Sequence, residues 1–309
     1  MPCIVSVASG KGGVGKSMVV SNLGLLLAKT GLRVTLVDLD IGGANLHILF
    51  GMFHPPATLT DFLTNTLNNL NEIAHPIPSH SILKLIPGTG ETLITANLPY
   101  AKKKRLIRHL QKHDADIILV DVGAGTSYHA LDFFLLADYF LAVATPDPTS
   151  VLDLYRFIKL AAIRKVLTAF LARDPVADAL LDKDFHSVAA VLEAVGKTSE
   201  QGVTIAREAL KRFQPALILN RMTPKSRINT LHLQHLLKQY VGTDLSILGK
   251  IPEDIHVQQS ILKYLPVVEL APASPATIAL HQIADNVRKM VEQPPESVGR
   301  MEELRKIRA

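Results

Sequence analysis

The sequence predicts a doubly wound α/β fold: a mostly parallel sheet, helices on both faces, and one helical insertion. Three observations predict it. Short β-branched runs alternate with helical stretches along most of the chain. A first strand, a glycine-rich loop, a helix and a second strand all fall within the first forty residues, a spacing that implies a right-handed crossover between parallel strands. Several later runs are apolar throughout, as strands covered on both faces are.

In order, "CIVSVA" (3–8) is the first strand, "SMVVSNLGLLLAKTG" (17–31) a helix closed by Gly31, and "RVTLVDLD" (33–40) the second strand. "ILKLIPG" is a third strand, and "KKKRLIRHLQKH" a helix with Leu106, Ile107 and Leu110 inward. "DIILVDVGAG" is a buried strand opening into a turn. "YFLAVATPDP", "ALILNRM" and "SILGKIPED" repeat that pattern of apolar strand and polar or proline-marked turn. "SPATIALHQIADNVRKMVEQ" is the last helix. From 151 to about 213 only helical stretches occur, too long for a simple crossover. The expected organisation is a single domain over 1–293, with a helical elaboration at about 160–213 and a tail at 294–309.

The 309 residues are 48% hydrophobic, enough for a sizeable core, and a net charge of +5 is only a mild bias toward anionic partners. The single cysteine, Cys3, lies inside a strand, which excludes an internal disulfide, a CxxC metal site or a thiolate-held cluster within one chain. A cytoplasmic protein is expected: the apolar stretches fall short of the roughly 20 residues of a membrane span, and no secretory leader precedes the first strand. The twelve histidines are scattered, with no metal-ligand spacing beyond His109/His113, and read as surface or packing residues.

Between the first strand and its helix stands "SGKGGVGKSM", in which Gly10, Gly15, Lys16 and Ser17 satisfy G-x-x-x-x-G-K-[ST] in the required strand–loop–helix context. Glycines let backbone N–H groups turn inward around phosphates, the helix N-terminus adds partial positive charge, Lys16 bridges the β- and γ-phosphates, and the Ser17 hydroxyl reaches Mg²⁺. The cradle expected for ATP comprises Gly10, Gly12, Gly13, Val14, Gly15, Lys16, Ser17 and Met18. Lys11 is an additional charge. With Lys16 at the β/γ edge, Lys11 needs another target, or is a solvated loop lysine.

Asp38 and Asp40, two residues apart at the end of the second strand, point to one face, and at a strand's carboxyl end that face is the phosphate crevice; a solvated acidic turn is the alternative. Asp121 follows four apolar residues in "IILVDVGAG", the pattern of a carboxylate that holds a magnesium water, with Gly123 and Gly125 in the loop beyond. A buried Asp capping the next segment would give the same pattern.

K-G-G-x-G-K-[ST] resembles the deviant phosphate loop of the MinD/ParA class of ATPases, P-loop NTPases of the SIMIBI type. "DVGAGTS" followed by "ADYFLAVATPDPTSVLDLYRFIK" is similar to the FlhG-like branch, which regulates flagellar number and position. The resemblance covers residues 3 to about 160 and 215 to about 290. It implies an ATP-dependent homodimer in which Lys11 crosses to the partner's nucleotide, as an arginine finger does. Lys11, Lys16 and Asp40 become the catalytic candidates, Asp40 orienting the attacking water. Ser17, Asp38 and Asp121 become the magnesium set, and Asn45 joins the first switch. Asn220 would read adenine N6, Arg221 pack on the base and Pro252 lie beside it; Asn220 is equally a good turn residue. The chain departs from the pattern in lacking the branch's N-terminal extension, in its longer helical region, and in its tail.

The resemblance implies a protein partner, an activator or cargo, which the sequence does not name. Two anionic surfaces are candidates. Val298, Met301, Leu304 and Ile307 make an amphipathic stripe in the tail that would lie on anionic lipid at the membrane or a pole; a disordered or self-docked tail is the alternative. Lys102, Lys103, Lys104, Arg105, Arg108 and Lys112 form a basic helix face, opposite the apolar one, for nucleoid DNA or lipid phosphate, or simply a solvated face. Function is expected to be that of an ATP-binding, slowly hydrolysing switch that positions or regulates a cellular structure. The alternative is a metabolic ATP-dependent enzyme on the same scaffold, dethiobiotin synthetase-like or cobyrinate amidase-like. One cysteine argues against an iron–sulfur carrier, and an amidase would need a nucleophilic cysteine in a glutaminase domain.

Overall fold

The computed structural model describes residues 1–40, 43–78, 80–88, 98–170, 174–180 and 183–292. Its strands are β1 (Cys3–Ala8), β2 (Val34–Leu39), β3 (His75–Ile77), β4 (His80–Ile86), β5 (Ile117–Val122), β6 (Tyr139–Ala144), β7 (Pro215–Met222) and β8 (Ser246–Pro252). They form one sheet in the order β3-β4-β2-β5-β1-β6-β7-β8, parallel at every pairing except β3 with β4. The expected doubly wound, mostly parallel sheet is therefore present, with one edge strand that sequence patterning did not foresee. β3 is only "HPI", and Pro76 removes a ladder donor, which an edge tolerates.

The helices are α1 (Lys16–Lys29), α2 (Leu59–Leu63), α3 (Tyr100–Gln111), α4 (Tyr128–Leu135), α5 (Pro148–Leu167) and α6 (Pro175–Leu180), then α7 (Val188–Gly196), α8 (Glu200–Lys211), α9 (Thr230–Tyr240), α10 (Ile255–Leu262), α11 (Val267–Leu270) and α12 (Pro275–Glu292). Alternate strand residues serve two cores. Ile4, Ala8, Ile118 and Val120 pack under α3, α4, α5 and the helices to α9, where Phe134, Phe140, Phe157 and Phe213 meet ring to ring at 5.0–5.4 Å. Val5, Val7, Ile117 and Leu119 pack under α1, α11 and α12. Covered on both faces, the central strands need apolar residues at nearly every position, so polar ones there stand out: Asp38 and Asp121 are each 1% exposed.

The basic helix face requires a correction. Lys103 lies three and seven residues before Leu106 and Leu110, on the apolar side of α3. It is buried, and its ammonium bonds Asp132 of α4. Arg164 of α5 reaches the same carboxylate (Nε to Oδ1 2.7 Å, Nη2 to Oδ2 3.2 Å). Burial alone would raise the pKa of Asp132, but Arg164 and Lys103 hold it below the ordinary value. Arg105 is engaged as well: its guanidinium lies 4.1 Å over the Phe62 ring and donates to the Phe62 carbonyl and to Asn65. Lys104, Arg108 and Lys112 are exposed, as expected, and Ile107 is only half-buried.

Strand order places the site. β1 lies between β5 and β6, so the chain winds outward in both directions from it, and the loop after β1 occupies the crevice where strand order reverses. The loops after β2 and β5 emerge beside it.

Candidate functional site

α1 begins without a side-chain cap: its N-cap is Gly15, at φ 92°. The first N–H groups of the helix are therefore left without an intrahelical or side-chain acceptor, and the helix dipole favours an anion there. Gly12 and Gly13 are exposed, and Val14 and Met18 are buried beneath the loop. Gly10 has to be glycine: a Cβ there would lie 2.3 Å from the Asp153 backbone carbon, so the loop is packed on the second turn of α5.

Lys16, 6% exposed, extends toward the strand ends, its Nζ 2.5 Å from Asp121 Oδ1 and 3.8 Å from Asp40 Oδ2. Asp38 and Asp121 are directly paired across β2 and β5. One Asp121 oxygen, Oδ1, accepts from Lys16, while the other, Oδ2, is buried without a partner. Burial, then the neighbouring Asp121 charge, pushes Asp38 up to about 7, against the N–H groups of Leu46 and Asp40 and the Lys16 charge. Burial likewise raises Asp121, against Lys16 and Ser17. One ammonium thus lies against two carboxylates, Asp121 and Asp40, with the Asp38 carboxyl across the ladder from Asp121. Among the described residues no cluster of three or more His, Cys, Asp or Glu could hold a metal alone. Ser17 and Asp121 nevertheless fit a magnesium ion whose remaining ligands are phosphate and water oxygens, because Asp121 keeps an unpartnered oxygen for it.

The two acidic residues of the first switch divide. Asp38 is turned onto its own loop, Oδ1 accepting from Asp40 N–H (3.1 Å) and Oδ2 from Leu46 N–H (3.0 Å). Asp40 is one-third exposed, beside Lys16. Asn45 bonds the Gly43 carbonyl at 3.0 Å. The loop after β5 is tied to the phosphate loop by Gly125 N–H, which donates to the Ser9 carbonyl (3.1 Å).

Lys11 is not a solvated loop lysine. Its ammonium bonds Asp147 Oδ1 and Thr149 Oγ1, both at 2.9 Å, and is 34% exposed. Asp147 escaped sequence reasoning, although "DPTS" is a strong helix-start signal: the carboxylate caps α5 by accepting from Ser150 N–H at 2.9 Å, with Pro148 in the first turn. Hydrogen bonds from Thr145, Thr149 and Lys11 hold it well below the usual carboxylate range.

Asn220, Arg221 and Pro252 lie at the carboxyl ends of β7 and β8, where Met222 pairs with Pro252. Arg221 is exposed at φ 56°, and Asn220, 3% exposed, donates from Nδ2 to the Val14 carbonyl at 2.8 Å.

Known proteins resemble this chain in sequence and in fold. The ParA family model, described as NUBPL iron-transfer P-loop NTPase, matches residues 1–201. The antiactivator FleN of Pseudomonas aeruginosa is 27% identical over 286 residues, covering 92% of this chain and 85% of FleN. The flagellum site-determining protein YlxH of Helicobacter pylori is 34% identical over 167 residues, 52% of this chain and 54% of YlxH. The septum site-determining protein MinD from Pyrococcus horikoshii, solved with Mg-ADP, superposes with a TM-score of 0.66 at 24% identity, covering 96% of this chain and all of that one. With its phosphate loop, its paired strand carboxylates and the family match over 201 residues, the chain belongs to the ParA family of P-loop NTPases.

Proposed function

We propose that this chain is an ATP-binding, slowly hydrolysing switch that closes into a homodimer with ATP and positions or regulates a cellular structure. The observation that carries the reading is Lys11, a second lysine in the phosphate loop that is gripped by Asp147 and Thr149 rather than aimed at the Lys16 pocket. An ammonium held at the rim, one-third exposed, is placed to exchange Asp147 for a triphosphate arriving from a facing subunit. In that arrangement it stabilises the charge that develops on the transferring phosphoryl group. Relatives named as an antiactivator and as a flagellum site-determining protein support a regulatory switch over a metabolic ligase or amidase.

Within one subunit the residues divide the work. Backbone N–H groups from Gly12 to Met18 cradle the phosphates, and Lys16 leaves Asp121 and Asp40 for the β/γ oxygens. Asp121 and Ser17 hold magnesium, which neutralises phosphate charge when bound, and Asp38 braces the first switch through Leu46 and Asp40. Asp40, freed from Lys16, orients the attacking water. Arg221 and Pro252 flank the base. The chain acts in the cytoplasm, at a membrane or pole, with a protein partner that triggers release. For an anionic surface, the exposed Lys104, Arg108 and Lys112 remain available; the amphipathic tail stripe lies outside the described residues.

Light scattering with Mg-ATP tests the switch. Wild type is expected to dimerise, whereas Lys11→Ala binds ATP within about threefold of wild type yet stays monomeric, because a rim charge contributes little to affinity within its own subunit. A Lys11→Ala protein that dimerised normally would remove the cross-subunit role.

A further inference from the structure

We propose that Asn220 is a positioning residue of the phosphate loop, acting through the Val14 carbonyl, so that its effect on nucleotide binding is exerted at the phosphates whether or not a base is present. The inference rests on the nucleotide-binding reading above and reassigns the residue that sequence reasoning placed on adenine N6.

Three observations converge on it. The Asn220 amide, buried at the end of β7, reaches 206 residues back along the chain to donate to Val14 O at 2.8 Å. The same amide fills the space over the next residue: a Cβ on Gly15 would lie 2.2 Å from Nδ2, so the contact requires glycine there independently of its φ of 92°. The β7 backbone is irregular at the same place. Its ladder with β8 is interrupted between Leu219 and Met222, and Arg221 takes a left-handed φ of 56°, a conformation that a non-glycine residue keeps only when its surroundings enforce it.

Peptide geometry supplies the consequence. In a planar trans peptide the C=O of one residue and the N–H of the next point in opposite directions. Holding Val14 C=O toward β7 therefore aims Gly15 N–H to the other side, into the concavity where a phosphate oxygen is bound. Without Asn220, rotation of the 14–15 peptide becomes cheaper, and the cradle has to be reordered each time an anion binds. A residue acting in this way is blind to the base. One that reads N6 is blind to everything except the base.

Magnesium tripolyphosphate, a triphosphate without nucleoside, separates the two. Titration calorimetry of wild type and Asn220→Ala with magnesium tripolyphosphate and with Mg-ATP is expected to show both ligands weakened by the same factor, about five- to tenfold, the typical loss for one buried neutral hydrogen bond. Unchanged tripolyphosphate affinity overturns the proposal, and weakening of ATP alone would return Asn220 to the base. Hydrogen exchange on the nucleotide-free protein provides a reading that needs no ligand. Faster exchange confined to residues 14–18 supports the role, whereas unaltered exchange, or acceleration spread over the whole sheet, overturns it. Asn220→Leu, nearly isosteric, uncharged and without the donor, replaces the alanine variant in both measurements if that one does not fold. A wild type that bound neither ligand would sink the proposed switch, while exchange would still decide the case of Asn220.

Discussion

Two ion clusters in this chain bury charge in opposite proportions. Around Lys16, one ammonium lies against Asp40 and Asp121, and an oxygen of Asp121 is left without a partner. Around Asp132, one carboxylate is shared by Lys103 and Arg164, and both of its oxygens are taken. The second cluster is closed: it ties α3, α4 and α5 together and has no acceptor left to offer. The first is open: the buried Asp121 Oδ2 has no partner, and the proposed magnesium would take it. Residue type alone does not separate them, since both are lysine–aspartate pairs with little exposure. What separates them is whether the hydrogen-bonding account closes.

The sharpest way to break this comparison is Asp132→Ala. Leaving two partly buried cations without their carboxylate is expected to cost about 3–5 kcal/mol of stability in urea unfolding, with ATP affinity of the folded fraction unchanged. If stability held and nucleotide binding fell, the closed cluster would belong to the site after all. Lys16→Ala should do the reverse, lowering ATP affinity by roughly 30- to 100-fold, as removal of a charged hydrogen-bond donor does. Calorimetry showing near-normal affinity would remove Lys16 from the phosphates. The smallest expected effect sharpens the contrast with a buried group that carries no charge. His113 is buried against Thr35 (Nε2 to Oγ1 3.0 Å), with Nδ1 unpartnered. Burial, then Lys84, holds its pKa below 6.5. The unfolded chain thus takes up the proton first, so the stability from this group is complete above pH 6.5 and is lost as the pH falls below it. His113→Gln keeps a hydrogen-bonding side chain without the charge. Its melting temperature should fall less than that of wild type between pH 7 and 5, and parallel curves would contradict the assignment.

The parallel strands were legible because burial on both faces forces continuous apolar runs, against which Asp38 and Asp121 are conspicuous. β3 was not, since three residues containing a proline carry no period. Lys103 was legible and misread: the run of basic residues drew attention to charge, while its spacing to Leu106 and Leu110 put it on the inner face. Asp147 was visible as a helix cap but not as the partner of Lys11, because the contact joins loops 136 residues apart. The link from Asn220 to Val14 was hidden for the same reason. Local pattern discloses which residues are polar inside a strand; only the assembled sheet discloses what they touch.

The first turn of α5 grips Lys11, and some four turns later Arg164 holds Asp132. A twenty-residue helix is a rod about 30 Å long, so Thr168, exposed at its far end, is a mounting point well away from the phosphate loop yet rigidly joined to the segment that holds Lys11. In a chain with a single native cysteine, a spectroscopic label placed there after replacing Cys3 would report whether the rod moves when Mg-ATP is added.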